Sequence, residues 1–276
     1  LLALLDQDPS LSPKDILVLA PDINVYAPYI QAVFPRRRSG DSSSPGEQHF
    51  LPYEITDRVS GQIDVVVDAW VRLLDLPSTR FDADLIMDLL RIDPVRETFG
   101  IGVDELDTLG GWVEEAGIRW GLSGEQKRQW NLPESEQYTW SWGLERMVLG
   151  VGLPRAVAGD GIPIFQKLLP FDSIEGQHVD LLDRFIGFMQ TVREWVDDLQ
   201  TPRTMIEWEQ VLSKWLDRFV PPTPEYFESR EGIRDVIANA VSASEDGGYD
   251  RPVESSVLRS LFTALQSDSA PWMRFL

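Results

Sequence analysis

The strongest constraint on this chain is a periodicity that holds over most of its length. From Gln62 to Gln266 apolar residues recur at three- and four-residue spacing, the signature of helices with one buried stripe. Ile63, Val66, Val67, Trp70, Val71 and Leu74 make the first stripe, ended by Pro77 and Ser78. Phe81 to Ile92 predicts a second helix. Asp93-Pro94 opens a third, the proline sitting in a first turn where no N–H is needed. Leu106, Leu109, Trp112, Val113 and Ala116 predict another, stopped at Gly117, and Tyr138 to Leu149 continues the pattern. Gly150 to Gly161 reads as a break between helical layers. Val179 to Leu199 is long and strongly periodic. Thr204 and Glu207 have capping-box spacing and open a helix with Trp208, Val211, Leu212, Trp215 and Phe219 inward, closed by Pro221, Pro222 and Pro224. Arg230 to Val241 and Val253 to Gln266 predict the last two. No internal repeat of fixed period is visible, and the ten tryptophans most simply stock the cores of helix pairs.

The start of the chain departs from this pattern. Ile16 to Ala20 is wholly apolar, as in a strand buried on both faces of a parallel sheet. Asp22 is placed to cap a helix carrying Tyr26, Tyr29, Ile30, Val33 and Phe34 on its apolar side. Leu51 to Ile55 predicts a second strand, with Pro52 near its start where a missing N–H is tolerated. Strand, helix and strand make half of a Rossmann-like sheet, and the remaining chain offers hardly any strand to complete it. Between the two strands lies a polar insert, P-R-R-R-S-G-D-S-S-S-P-G-E-Q-H, read as a surface loop. Its Arg36, Arg37 and Arg38 form the only basic cluster; they either meet a phosphate backbone or offset acidic surroundings.

Charge and missing motifs exclude several functions. Against 45 acidic residues stand 25 lysines and arginines, a net charge of -20, so this polypeptide alone should bind DNA poorly. Without cysteine there is no disulfide and no Cys-ligated zinc. No apolar run approaches the roughly 20 residues needed to cross a bilayer. Phosphate-binding loops and the nucleophile elbow are absent. The two histidines, His49 and His178, lack a partner at ligand spacing, and acidic pairs such as Asp82-Asp84, Glu114-Glu115 and Asp197-Asp198 are expected by chance in so acidic a chain. No catalytic, cofactor or metal residue is assigned. The best residues for a role beyond packing are Arg119 and Trp120, in G-I-R-W-G-L. An arginine beside an aromatic can stack on a base or meet a partner carboxylate. Alternatively Arg119 ends a helix by bonding local carbonyls and Trp120 is core.

Four segments carry a family resemblance. In superfamily 1 DNA helicases the second motor domain opens with D-I-x-I-L-V-R, a helix, and a strand reading I-P-Y-x-I, comparable with Asp15 to Pro21 and Leu51 to Ile55. The fuller pattern D-I-L-V-x-x-P-D-I-x-x-Y-x-P-x-I-x-x-V-F, then P-Y-x-I-x-D-R, resembles the RecC family, the gamma subunits of bacterial exodeoxyribonuclease V. Gly111 to Leu122, Tyr138 to Gly150 and Pro170 to Gly176 are similar to RecC segments in the same order.

The resemblance implies an α/β start joined to a mainly α body. Residues 1–60 would be the opening βαβ half of a RecA-like motor lobe, and residues 61–276 a large inserted α-helical subdomain ending near the return to the lobe. Pro21 stands where an active motor carries a phosphate-binding Arg, which implies an inactivated lobe serving as scaffold and DNA channel. Partners would be RecB-like and RecD-like subunits, which alone would use ATP and Mg²⁺. Together they would process double-stranded DNA ends, under Chi control, in the bacterial cytoplasm. With no Met at its start, the chain is expected to be an excised fragment. The other reading is an independent acidic α-helical protein–protein adaptor with no DNA role. A self-sufficient hydrolase lacks a nucleophile, base and metal set.

Overall fold

The computed structural model describes residues 11–13, 16–19, 26, 30, 64–152, 168–174 and 176–268. The chain divides into two units, Leu1–Gln62 and Ile63–Leu276, and the helices with assigned bounds all belong to the second. They are α1 (Val65–Asp75), α2 (Ala83–Arg91), α3 (Asp93–Thr98), α4 (Glu105–Glu115), α5 (Gly124–Lys127), α6 (Trp140–Gly152), α7 (Val179–Leu199), α8 (Met205–Phe219), α9 (Phe227–Asp246) and α10 (Ser255–Asp268). No β-strand forms among the described residues; an antiparallel bridge joins Arg203 to Val253.

Local chemistry sets the helix ends. Asp64 caps α1, its carboxylate accepting from the backbone of Val66 at 2.9 Å and Val67 at 3.2 Å. At α8 the capping box is complete: Thr204 Oγ1 accepts from Glu207 N at 3.4 Å, and Glu207 Oε2 accepts from Thr204 N at 2.9 Å. Arg230 of α9 is buried and donates to the Leu216 and Val220 carbonyls at the end of α8. It satisfies acceptors that a helix C-terminus leaves without intrahelical partners.

Aromatic side chains organise the core around α7. Phe262 of α10 meets Trp70 of α1 at 6.2 Å, Trp70 meets Trp195 of α7 at 5.7 Å, and Trp195 meets Trp215 of α8 at 5.4 Å. Phe219, Phe99 and Phe188 extend the contacts to Phe185, which meets Trp140 of α6 at 6.1 Å. Such pairs contribute about 0.5–1.5 kcal/mol each beyond area burial. The indoles also bond to backbone: Trp195 Nε1 donates to Leu73 O at 2.8 Å and Trp140 Nε1 to Phe81 O at 2.9 Å. Trp70, Trp112, Trp140, Trp195, Trp208 and Trp215 are buried, as expected of core tryptophans, whereas Trp120, Trp130 and Trp142 are only partly so.

Three expectations need correction. Ile16 to Leu19 is not a buried strand: it has no ladder, and Leu17, Val18 and Leu19 are 77%, 68% and 80% exposed. A parallel strand is held by neighbours on both sides and helices on both faces, and the described residues supply neither. Tyr26 and Ile30 are helical, while the Asp22 cap, Leu51–Ile55 and Arg36, Arg37 and Arg38 lie outside the described residues. The break expected from Gly150 begins late, because α6 continues through Gly152. Gly150 is there for close approach instead: its missing side chain admits the Phe171 carbonyl against the helix. Finally, α9 starts at Phe227 and runs to Asp246, longer at both ends than the predicted Arg230 to Val241.

Candidate interaction surface

Arg119 and Trp120 sit in a knot of three chain segments, 79–83, 116–122 and 123–139. Gly117 ends α4 with φ +79°, and Ile118 N closes back on Val113 O at 3.0 Å. The chain then runs beside the first segment, with Ala83 N bonding Arg119 O and Gly121 N bonding Arg80 O, both at 2.8 Å. On its other side Arg119 N and Trp120 N both donate to Tyr138 O, at 2.9 and 3.2 Å, and Trp140 N donates to Gly121 O at 2.9 Å.

A buried lysine ties the third segment. Lys127, at the end of α5, is 5% exposed and donates through Nζ to Ser135 O and Gln137 O, each at 2.7 Å. Its ammonium also lies 4.9 Å from the centre of the Trp120 ring. Burial pushes its pKa below the ordinary lysine range, partly opposed by the Glu136 carboxylate. Glu136 Oε2 accepts from Gly124 N at 2.9 Å, so both ends of the segment are pinned.

The backbone is strained here. The non-glycine residues with positive φ among those described are Phe81 (56°), Asn131 (56°) and Tyr138 (68°), and all three lie in this knot. Asparagine tolerates the left-handed region, but an aromatic residue there costs about 1–2 kcal/mol. Phe81 is held by burial of its ring and by the Trp140 indole on its carbonyl. Tyr138 is 49% exposed, packs edge-on against Trp142 at 5.8 Å, and is held by two amides on its carbonyl. Strain of this kind persists only where the surroundings over-determine it, and it collects at functional sites.

The knot presents two guanidinium groups that find no carboxylate among the described residues. Arg80 is exposed and lies over the Trp130 ring at 5.0 Å. Arg119 is exposed and has no hydrogen bond or ion pair from its side chain among the described residues, nor does Arg80 have an ion pair there. The reading of Arg119 as a helix-ending residue bonded to carbonyls is therefore not the one the structure adopts, and Trp120 is half-buried rather than core. Elsewhere arginines are typically paired: Arg72 with Asp68 at 2.8 Å, Arg184 with Glu105 at 2.6 Å, Arg218 with Glu194 at 2.6 Å. Sequence reasoning missed Arg80 and Lys127. Nothing local marks either one, since Lys127 lies in the polar run E-Q-K-R-Q and reads as solvated.

No group of His, Asp and Glu able to hold a metal ion occurs among the described residues. Asp198 is occupied by Arg203 at 3.2 Å and by the Trp215 indole at 2.7 Å, and His178 lies edge-on to Trp112 at 6.0 Å. A groove of about 490 Å³ between α6 and α7 is lined largely by apolar side chains, among them Leu144, Val148, Ile186 and Met189. Ser141, Glu145, Gln190 and Arg193 contribute its polar lining.

Comparison with known proteins places the fold. The model of the RecBCD enzyme subunit RecC fourth domain matches residues 63–270. The RecBCD enzyme subunit RecC of Escherichia coli (strain K12) is 36% identical over 259 residues, covering 94% of this chain and 22% of that protein. Its counterpart in Mycolicibacterium smegmatis is 35% identical over 224 residues, 79% of this chain and 20% of the relative. That of Haemophilus influenzae is 30% identical over 276 residues, 100% of this chain and 23% of the relative. The chain thus spans under a quarter of the length of these relatives. The matched range opens just before the Asp64 cap and closes just past α10, so the helical body carries the match, and the chain belongs to the RecC family.

Proposed function

We propose that this chain is a non-catalytic scaffold part of the RecC-like subunit of an ATP-dependent helicase–nuclease that processes broken DNA ends for recombinational repair. The observation that carries the reading is the RecC fourth-domain match over the whole helical body. Several of its arginines hold that body together, as with Arg184 on Glu105 and Arg230 on Asp217. In this reading residues 1–60 begin a RecA-like lobe whose strands pair with parts of the parent subunit, and residues 61–276 are the helical insertion. Pro21 in place of a phosphate-binding arginine leaves that lobe to contribute shape and a channel wall. ATP, Mg²⁺ and nuclease chemistry reside in RecB-like and RecD-like partners, and the complex works on double-stranded ends, under Chi control, in the bacterial cytoplasm. No helix among the described residues is long and apolar enough to cross a membrane.

The test is reconstitution. The RecC-like polypeptide containing this chain is mixed with the RecB-like and RecD-like subunits of the same bacterium, and assembly and ATP-dependent unwinding of a blunt duplex are measured. Expected is a stable three-subunit complex that needs this polypeptide for processive unwinding, with no ATP turnover by the polypeptide alone. A polypeptide that does not join the complex, or that hydrolyses ATP by itself, refutes the reading. Failure to assemble leaves the acidic adaptor reading in its place.

A further inference from the structure

We infer that the knot carrying Arg80 and Arg119 is a docking surface for a carboxylate-bearing protein segment of a partner subunit. This rests on the proposed assembly and adds which surface is used and what chemistry it meets. Three features support it. First, Arg80 and Arg119 have no ion pair among the described residues of a chain with a net charge of -20, where intramolecular carboxylates are plentiful. A guanidinium is a planar fork that takes a carboxylate by two parallel hydrogen bonds. Second, the surface is pre-organised. Trp130 lies under Arg80, and Lys127 and two strained aromatic residues fix the backbone that carries Arg119. A partner therefore meets a backbone whose conformational entropy has already been lost on folding, with Arg80 held further by its ring contact. Third, the same segments expose Tyr138 (49%) and Leu132 (40%) and leave Trp120 half-buried, so the tyrosine, the tryptophan and the arginines supply the Trp, Tyr and Arg composition of interface hot spots.

Charge density favours a protein over nucleic acid. Duplex DNA presents one charge per about 1.7 Å, so gripping it takes a track of cations. Here the other cations of the knot are already engaged: Arg128 by Glu134 at 2.8 Å and Lys127 by two carbonyls. The exposed Asp82, Glu125 and Glu136 would repel the dense charge of a phosphate chain more strongly than the single charge of a carboxylate at each fork.

The experiment uses the whole RecC-like polypeptide with R80A/R119A, R80E/R119E and R80K/R119K, and titrates each against its RecB-like and RecD-like subunits. A blunt-ended duplex hairpin probes DNA-end affinity of the assembled complexes, and thermal melting reports folding. R80A/R119A should weaken subunit assembly about tenfold or more, as for loss of hot-spot residues. R80E/R119E should weaken it further, R80K/R119K should lie between, and DNA-end affinity and melting should stay at wild-type values. Wild-type assembly constants for all three variants would overturn the inference. So would lost DNA affinity with assembly intact, which assigns the surface to nucleic acid. Lowered melting with assembly intact also overturns it, because the arginines are then covered by their own chain. If wild-type polypeptide does not assemble at all, the proposed function fails first and takes this inference with it.

Discussion

Gly150→Ala separates two effects that a helix propensity scale cannot. Gly150 lies in the last turn of α6, where alanine is the better helix former by about 1 kcal/mol. Against that gain, a Cβ at this position would overlap the Phe171 carbonyl and come within 3.2 Å of Asp172 N. The obstacle is backbone, and it is tied in place: Phe171 N donates to Arg146 O at 2.9 Å, and Arg146 Nε to Leu169 O at 2.7 Å. Making room costs about 1–3 kcal/mol of overpacking. If both tethers break, it costs about 1 kcal/mol more for each. The net is a loss of about 2–4 kcal/mol, or roughly 4–16 °C in Tm at about 2–4 °C per kcal/mol for a body of this size. The control is Gly232→Ala in α9, where the glycine is exposed and nothing lies within 4 Å of the added carbon. That change should stabilise by about 0.5–1 kcal/mol. Urea and thermal unfolding followed by helical circular dichroism read both. A G150A chain as stable as wild type, or G150A and G232A shifting together, would refute the packing argument.

Other perturbations probe the knot and the core separately. Lys127→Met keeps the aliphatic stem but removes the donors to Ser135 O and Gln137 O. Two charge-assisted hydrogen bonds are lost, but burial of a charge is relieved and both carbonyl residues are exposed to water, so about 1–2 kcal/mol of local stability should go. Amide hydrogen exchange at Arg119 and Trp120 should accelerate by about tenfold, while Leu216 in the core stays protected; unchanged exchange at 119 and 120 would show that the lysine does not hold the segment. Tyr226 is buried and donates to Glu97 at 3.0 Å, and burial, then Glu97, pushes its pKa well above the usual tyrosine range. The folded state thus keeps a proton that the unfolded chain gives up above about pH 10, so this contribution is intact below that pH and is lost as pH rises past it. Tyr226→Phe should flatten the alkaline arm of stability against pH; an unchanged slope would mean that other groups set it.

What could be read from the residues in order was what is decided locally. A helix closes its own hydrogen bonds within four residues, so the stripes of Val66 to Leu74 and Val179 to Leu199, the first-turn Pro94 and the Thr204–Glu207 box predicted elements that formed. The RecC resemblance was legible for a similar reason, being carried by short contiguous motifs, and Arg119-Trp120 drew notice as neighbours in one of them. The strand at Ile16 to Ala20 was not decided there, because a strand exists only through partners elsewhere in the chain. The part of Gly150 was equally hidden. The same residue type ends a helix or admits a neighbour, and Phe171, approaching through a separate segment, selects the second. Tertiary structure alone turned Lys127 from a solvated side chain into a clamp, left Phe81 and Tyr138 in left-handed backbone, and gave Arg119 the company of Arg80. Each of those depends on a bond between distant segments, such as Trp140 to Phe81 or Gly121 to Arg80, and the energy of such a bond is set by where the chain folds back.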